Sequence, residues 1–242
     1  MKRSFTKRRY NKKKYIKKNY TNKKIQRIYK KYGGNNNLEN NKLGSIIKYK
    51  NSLYVGDIDE NDMPNGKGTA TFADGSIYEG EWVNGNISGN GTMTFRNGNK
   101  YVGDWENGKP NGNGNMNFTD GRIYNGSWKN GIIEGEGKMT YPIGNIYEGS
   151  WRNGQFNGKG KMFYQSNNIY EGDWVNGIKE GKGIMIFNNR DIFEGNFVND
   201  VRQGLGKFIK KDENGNIIKT YEGLYENDEP SESSIANPSI LD

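Results

Sequence analysis

Eight carboxylates recur at matching places along the chain: Glu79, Glu81, Asp104, Glu148, Glu171, Asp173, Glu194 and Glu222. Paired carboxylates can hydrolyse glycosidic bonds or hold hard cations, so this row is the first candidate for chemistry. Seven Gly-x-Gly elements, from Gly66/Gly68 to Gly204/Gly206, are the second, because glycine-rich loops cradle phosphate. Neither survives its context. Carboxylates spread evenly along a chain do not converge on one pocket, and they read as a solvated strand face that discourages aggregation. A phosphate loop needs a strand before it, a helix after it and further glycines or Lys-Ser/Thr, and none of the seven has that setting. The sequence contains no His and no Cys, which removes imidazole bases, thiolate nucleophiles and the metal sites built from either. No catalytic residue, cofactor or metal is expected, and the chain reads as a non-enzyme.

Charge carries a different chemistry. Fifteen of the 36 Lys and Arg lie in residues 1–31, ahead of the first acid, Glu39, so a basic tail precedes a net acidic body. Like charges at this density resist collapse, and most of residues 1 to about 50 are expected to be disordered when alone. Within the tail, Ile25, Ile28, Tyr29 and Tyr32 have the spacing of one helical face, which predicts a short amphipathic helix on binding. Lys12, Lys13, Lys14, Lys17, Lys18, Lys23, Lys24, Arg27, Lys30 and Lys31 are the candidates for contact with an anionic lipid surface. Nucleic acid, on which Tyr10, Tyr15 and Tyr20 could stack, ranks below lipid. The longest purely apolar run is Ile184 to Phe187, too short for a membrane span or a signal peptide. The reading is an intracellular protein, cytoplasmic or peripheral to a membrane with the nucleus as an alternative, and neither secreted nor transmembrane.

These residues sit on a repeating frame. Tyr-x-Gly-x-Trp recurs at Tyr78/Trp82, Tyr101/Trp105, Tyr124/Trp128, Tyr147/Trp151 and Tyr170/Trp174, which accounts for all five Trp and sets a period of 23 residues. Weaker copies begin at Tyr54, Phe193 and Tyr221. Such a period means a stack of supersecondary units, with boundaries read at 54–77, 78–100, 101–123, 124–146, 147–169, 170–192 and 193–220. A partial eighth unit covers 221–230, between a tail of 1–45 and a C-terminal segment of 231–242. In each of units two to six an Asn-Gly such as Asn84-Gly85 lies between alternating segments, the signal of a two-residue type I′ hairpin. Counting outward from that turn pairs Gly80 with Gly89 and Tyr78 with Gly91. The rings would then lie over bare glycine backbone, and both glycines of Gly-x-Gly would be there to make room for them. An odd period inverts the face of a strand in every unit unless one turn or bulge resets it, and the reset is expected near the second turn, at Asp74-Gly75, Asn97-Gly98 and Asp120-Gly121. The first unit has one extra residue near Met63-Pro64, and the seventh has an insertion around Lys210 to Lys219.

Tyr-x-Gly-x-Trp-x-x-Gly, Gly-x-Gly and the following turn glycine resemble the MORN (membrane occupation and recognition nexus) repeat, matched nearly position for position in units two to six. The resemblance implies an all-β protein: an elongated single-layer antiparallel ribbon of tandem hairpins, serving as a scaffold, a dimerisation element or a membrane-proximal adaptor. The expected function is therefore a non-enzymatic scaffold for protein–protein interaction or self-association. A peripheral membrane or phosphoinositide adaptor tethered by the tail is the alternative, and a nucleic-acid-associated protein the second alternative. In a single layer the aromatic face needs a cover, from neighbouring units, a second copy or a partner protein.

Overall fold

The computed structural model describes residues 45–231; the tail helix, the ten tail cations and most of the C-terminal segment lie outside them. The described residues form seventeen strands and no helix, and every ladder between them is antiparallel. They fall into two compact units that divide between Ile87 and Ser88. The first holds β1 (Ser45–Tyr49), β2 (Ser52–Ile58), β3 (Pro64–Phe72), β4 (Ile77–Val83) and the start of β5 (Asn86–Thr94). The second holds the rest of β5, then β6 (Lys100–Glu106), β7 (Lys109–Asn117), β8 (Ile123–Lys129), β9 (Ile132–Thr140) and β10 (Ile146–Arg152). It continues through β11 (Gln155–Phe163), β12 (Ile169–Val175), β13 (Ile178–Ile186), β14 (Ile192–Val198), β15 (Val201–Lys211), β16 (Ile217–Glu226) and β17 (Glu229–Pro230).

Turn chemistry builds the hairpins. Asn107 and Gly108 both have positive φ, 50° and 78°, as a type I′ turn requires, and Asn130-Gly131, Asn153-Gly154 and Asn176-Gly177 repeat it. The seventh repeat has Asn199-Asp200 instead, and both residues still take positive φ, 50° and 71°. Its hairpin closes at Val198↔Val201 like the others. The second connection of each repeat is longer. Between Asn117 and Ile123 lie five residues, closed by Phe118 N–H to Arg122 O at 2.9 Å and Gly121 N–H to Phe118 O at 3.0 Å. An odd number of residues there returns Tyr124 to the face of Tyr101, so the reset falls at the second turn, as the odd period requires.

Register differs from the sequence expectation. In β6–β7 the turn pairs Trp105 with Pro110, but Gly103 then pairs with Gly114 and Tyr101 with Met116. The ladder has slipped by two residues through a bulge opposite Asp104, and the same slip occurs in β8–β9, β10–β11, β12–β13 and β14–β15. The first glycine of each pair forms that bulge. Gly112 has φ +112°, and a Cβ on it would meet the Asp104 carboxylate at 2.6 Å. Only the second glycine lies under a ring: a Cβ on Gly114 would sit 2.3 Å from Tyr101 Oη. The two glycines therefore have different causes, conformational at the first and steric at the second.

A second correction concerns β1. No strand was expected ahead of the first repeat at Tyr54, yet Ser45–Tyr49 pair along β2 from Ser45↔Gly56 to Tyr49↔Ser52. Ile47 and Tyr49 are buried. The strand occupies, against Tyr54, the place that a preceding repeat takes against later tyrosines, and its burial outweighs the neighbouring charge.

Candidate interaction groove

The ring side is closed by the chain itself. In the second unit Tyr101, Tyr124, Tyr147 and Tyr170 are completely buried, and Trp105, Trp128, Trp151 and Trp174 are 3–7% exposed. Tyr101 meets Trp105 of its own repeat at 5.1 Å and Trp128 of the next at 5.3 Å, both edge to face. The same contacts recur along the array, ending with Phe193 against Phe197 at 5.4 Å and Tyr225 at 4.9 Å. Each tyrosine hydroxyl donates to a backbone carbonyl three residues on, as Tyr124 does to Ser127 at 3.0 Å. Each indole donates to the second glycine of the preceding repeat, as Trp151 does to Gly137 O at 3.1 Å. Burial pushes the Tyr101 phenol up to about 12, and raises those of Tyr124, Tyr147 and Tyr170 as well, so these hydroxyls remain protonated donors. In the first unit Tyr78 is also fully buried, and its ring meets Trp82 at 5.5 Å.

A roof over these rings was missed in the sequence. The second residue after three of the type I′ turns packs on the aromatic row. Phe156 stacks on Tyr147 at 3.8 Å, Lys179 Nζ lies 5.5 Å over Tyr170, and the Arg202 guanidinium lies 5.3 Å over Phe193 and 5.4 Å over Tyr225. Arg202 also pairs with Asp228 at 3.1 Å. The signal was available as a column, Pro110, Ile133, Phe156, Lys179 and Arg202, at the period of the array.

The opposite face of the second unit carries the open site. It contains a groove of about 990 Å³ whose floor is a row of glycine backbone, Gly149, Gly160, Gly172, Gly183, Gly195 and Gly206. Those glycines face each other across the ladders, Gly149↔Gly160, Gly160↔Gly172, Gly172↔Gly183, Gly183↔Gly195 and Gly195↔Gly206. Above the floor, the carboxylates read as an acidic row turn out to alternate with lysines. Glu148 pairs with Lys138 at 2.7 Å, Glu171 with Lys161 at 2.8 Å, and Glu222 faces Lys207 at 4.0 Å. Ile184 breaks the alternation, standing between Glu171 and Glu194 in the ladders. Two of the remaining acids serve the backbone. Asp104 and Asp173 accept the bulge N–H of Asn113 at 2.8 Å and of Lys182 at 3.2 Å. In the first unit Glu79 and Glu81 stand opposite Thr69 and Lys67. Among the described residues no three metal-ligating side chains cluster, and no helix is long and apolar enough to cross a membrane.

A search of curated proteins found no match. Among solved structures, the TCP domain of SAS-4 (dCPAP) of Drosophila melanogaster, solved in complex with a proline-rich motif of Ana2 (dSTIL), is 12% identical with a TM-score of 0.41; the match covers 66% of this chain and 85% of that one. The wild-type TCP10 domain of Danio rerio CPAP is 11% identical with a TM-score of 0.36, over 70% of this chain and 94% of the other. The MORN repeat family matches seven segments, 60–77, 78–100, 101–121, 124–146, 147–169, 170–192 and 193–214. With hairpins, glycine rows and aromatic ladder all following that repeat, the chain belongs to the MORN repeat family.

Proposed function

We propose that the protein is a non-enzymatic scaffold that binds a protein partner through the groove of its second unit. The carrying observation is the division of the two faces: the aromatic face is consumed by the chain's own rings, while the groove remains open. Paired charges on an exposed face contribute little to stability, about 0.2–1 kcal/mol each, but they give a partner's charges a fixed register to read. Self-association through the same groove is the other form of this reading. The basic tail supports a second role, as a tether to an anionic membrane, because each Lys or Arg near such a surface is worth about 1 kcal/mol.

Chemical cross-linking of the full chain in its host extract, with mass spectrometric mapping, tests the main reading. Cross-links should fall on Lys159, Lys161, Lys182 and Lys207, and Glu148→Lys with Glu171→Lys should abolish them. Cross-links confined to the tail would overturn it in favour of the tether.

A further inference from the structure

The insertion in the seventh repeat lengthens one hairpin, so that β15 and β16 stay paired out to Lys211↔Ile217. Two features set this extension apart. First, Lys210 stands directly opposite Lys219, a like-charge pair of the kind that weakens a ladder. Among the described residues neither makes an ion pair, and Lys219 Nζ lies 4.5 Å over the Tyr221 ring. At the adjacent tip the Asp212 carboxylate is occupied by the backbone N–H groups of Asn214 and Asn216 at 2.9 and 2.8 Å. Glu222 faces Lys207 on the other side of the sheet.

Second, among the described residues β16 has an open edge. β17 covers only its end, at Tyr225↔Pro230 and Glu226↔Glu229. Ser231 N–H donates to Leu224 O at 2.9 Å, so Leu224 directs its backbone away from β15. Alternate residues of an antiparallel strand address the same neighbour. Glu222 and Thr220 therefore direct their N–H and C=O groups to that outer edge too, up to the bulge at Ile218. The side chains beside it are unusually bare for this protein: Ile217 is 63% exposed and Tyr221 38%, where the equivalent inner tyrosines are fully buried.

We propose that this edge takes up an extended acidic segment of a partner protein as an added strand. Its backbone bonds to Thr220 and Glu222, one carboxylate sits on Lys210 and Lys219, and an apolar side chain covers Tyr221. The site rests on the reading of the chain as a protein-binding scaffold but uses an edge, not the groove.

The probe is a fluorescein-labelled octapeptide of alternating Glu and Val, titrated into the full chain by anisotropy, with a Lys and Val octapeptide as its counterpart. The acidic peptide should bind at least tenfold more tightly than the basic one, and added salt should narrow the gap. Thr220→Pro removes an outward N–H while leaving the ladder to β15 intact, and should weaken binding at least tenfold with an unchanged circular dichroism spectrum. Lys210→Glu with Lys219→Glu should invert the preference, whereas Glu171→Lys in the groove should change affinity less than twofold. The proposal is overturned by equal affinity for both peptides, by no binding of the acidic one, or by Thr220→Pro binding like the parent. Hydrogen exchange at Thr220 and Glu222 as slow in the free chain as at Tyr221 and Gly223 would also overturn it, since the C-terminal segment would then already fill the edge.

Discussion

Adding a single methyl group at Gly114 tests how the repeat is held together. The new Cβ would lie 2.3 Å from Tyr101 Oη, 2.4 Å from Cζ and 2.5 Å from Cε2. The ring has nowhere to go: it is fully buried, wedged between Trp105 at 5.1 Å and Trp128 at 5.3 Å, and anchored by its hydroxyl to Asp104 O at 3.0 Å. Overpacking of this kind costs about 1–3 kcal/mol, and losing the hydroxyl bond costs about 1 kcal/mol more. The strand preference for Ala over Gly returns only about 0.5–1 kcal/mol. Gly114→Ala should therefore destabilise by about 2 kcal/mol or more, read by urea denaturation followed through Trp fluorescence. Gly108→Ala is the control, because it has φ +78° and open space around its Cβ, and should cost only the left-handed backbone penalty of about 1 kcal/mol. In a Tyr101→Ala background the cost of Gly114→Ala should nearly vanish. If Gly114→Ala is no worse than Gly108→Ala, or if its cost persists without the ring, the ring-over-glycine account is refuted.

A chain begun at Ser45 should keep its full strand signal, whereas one begun at Ser52 should melt earlier, because removing β1 uncovers Tyr54; equal melting temperatures by circular dichroism would count against β1 as a cap. On alkaline titration, Tyr101 has its folded pKa raised from 10 to about 12, so the stabilisation is present below pH 10 and is lost as pH rises from there through about 12. Phenolate absorbance at 295 nm should then appear together with the loss of strand signal, and ionisation of all tyrosines near pH 10 in a still-folded chain would contradict the burial. Arg202→Met should destabilise the last hairpin by about 1 kcal/mol, since it removes a cation from two ring faces and its pair with Asp228. Amide exchange in β14 to β16 should accelerate selectively, and a uniform effect along the array would be wrong for a local roof. The five indoles should resist iodide alike, because the array does not loosen toward its end: Phe197 is 2% exposed against 7% for Trp128.

What could be read without coordinates was whatever repeats with a reason of its own. Asn-Gly demands positive φ wherever it stands, and one Trp per 23 residues cannot be accidental, so turns, hairpins and the parity reset at the second turn followed from the residues. The two-residue slip did not. It depends on Gly112 and its equivalents entering a bulge that Asp104 or Asp173 secures through a backbone N–H, and in the sequence those acids look like surface charge. The lysines that pair with Glu148 and Glu171 lie across the longer second turns, in ladders the slip does not touch, and counting outward from Asn-Gly does not reach them. β1 escaped notice because Ile46, Ile47 and Tyr49 sit among lysines, and its burial comes from a strand that follows it. Roof residues as unlike as Pro110, Phe156 and Arg202 share a position and no chemistry, so only geometry groups them.

Between the Trp-bearing repeats of the second unit the joint is the same lock each time. Trp128 sits on Tyr101 at 5.3 Å and bonds to Gly114 O, and Trp151 sits on Tyr124 at 5.3 Å and bonds to Gly137 O. Excising 124–146 would bring Trp151 onto Tyr101 and Gly114, a joint made of the same parts in the same geometry. Because a 23-residue block begins and ends on the same face, its loss or duplication leaves every other joint untouched, and at the level of the gene it preserves the reading frame. Length in this protein is therefore a variable that recombination can change in whole units without selecting a single compensating substitution.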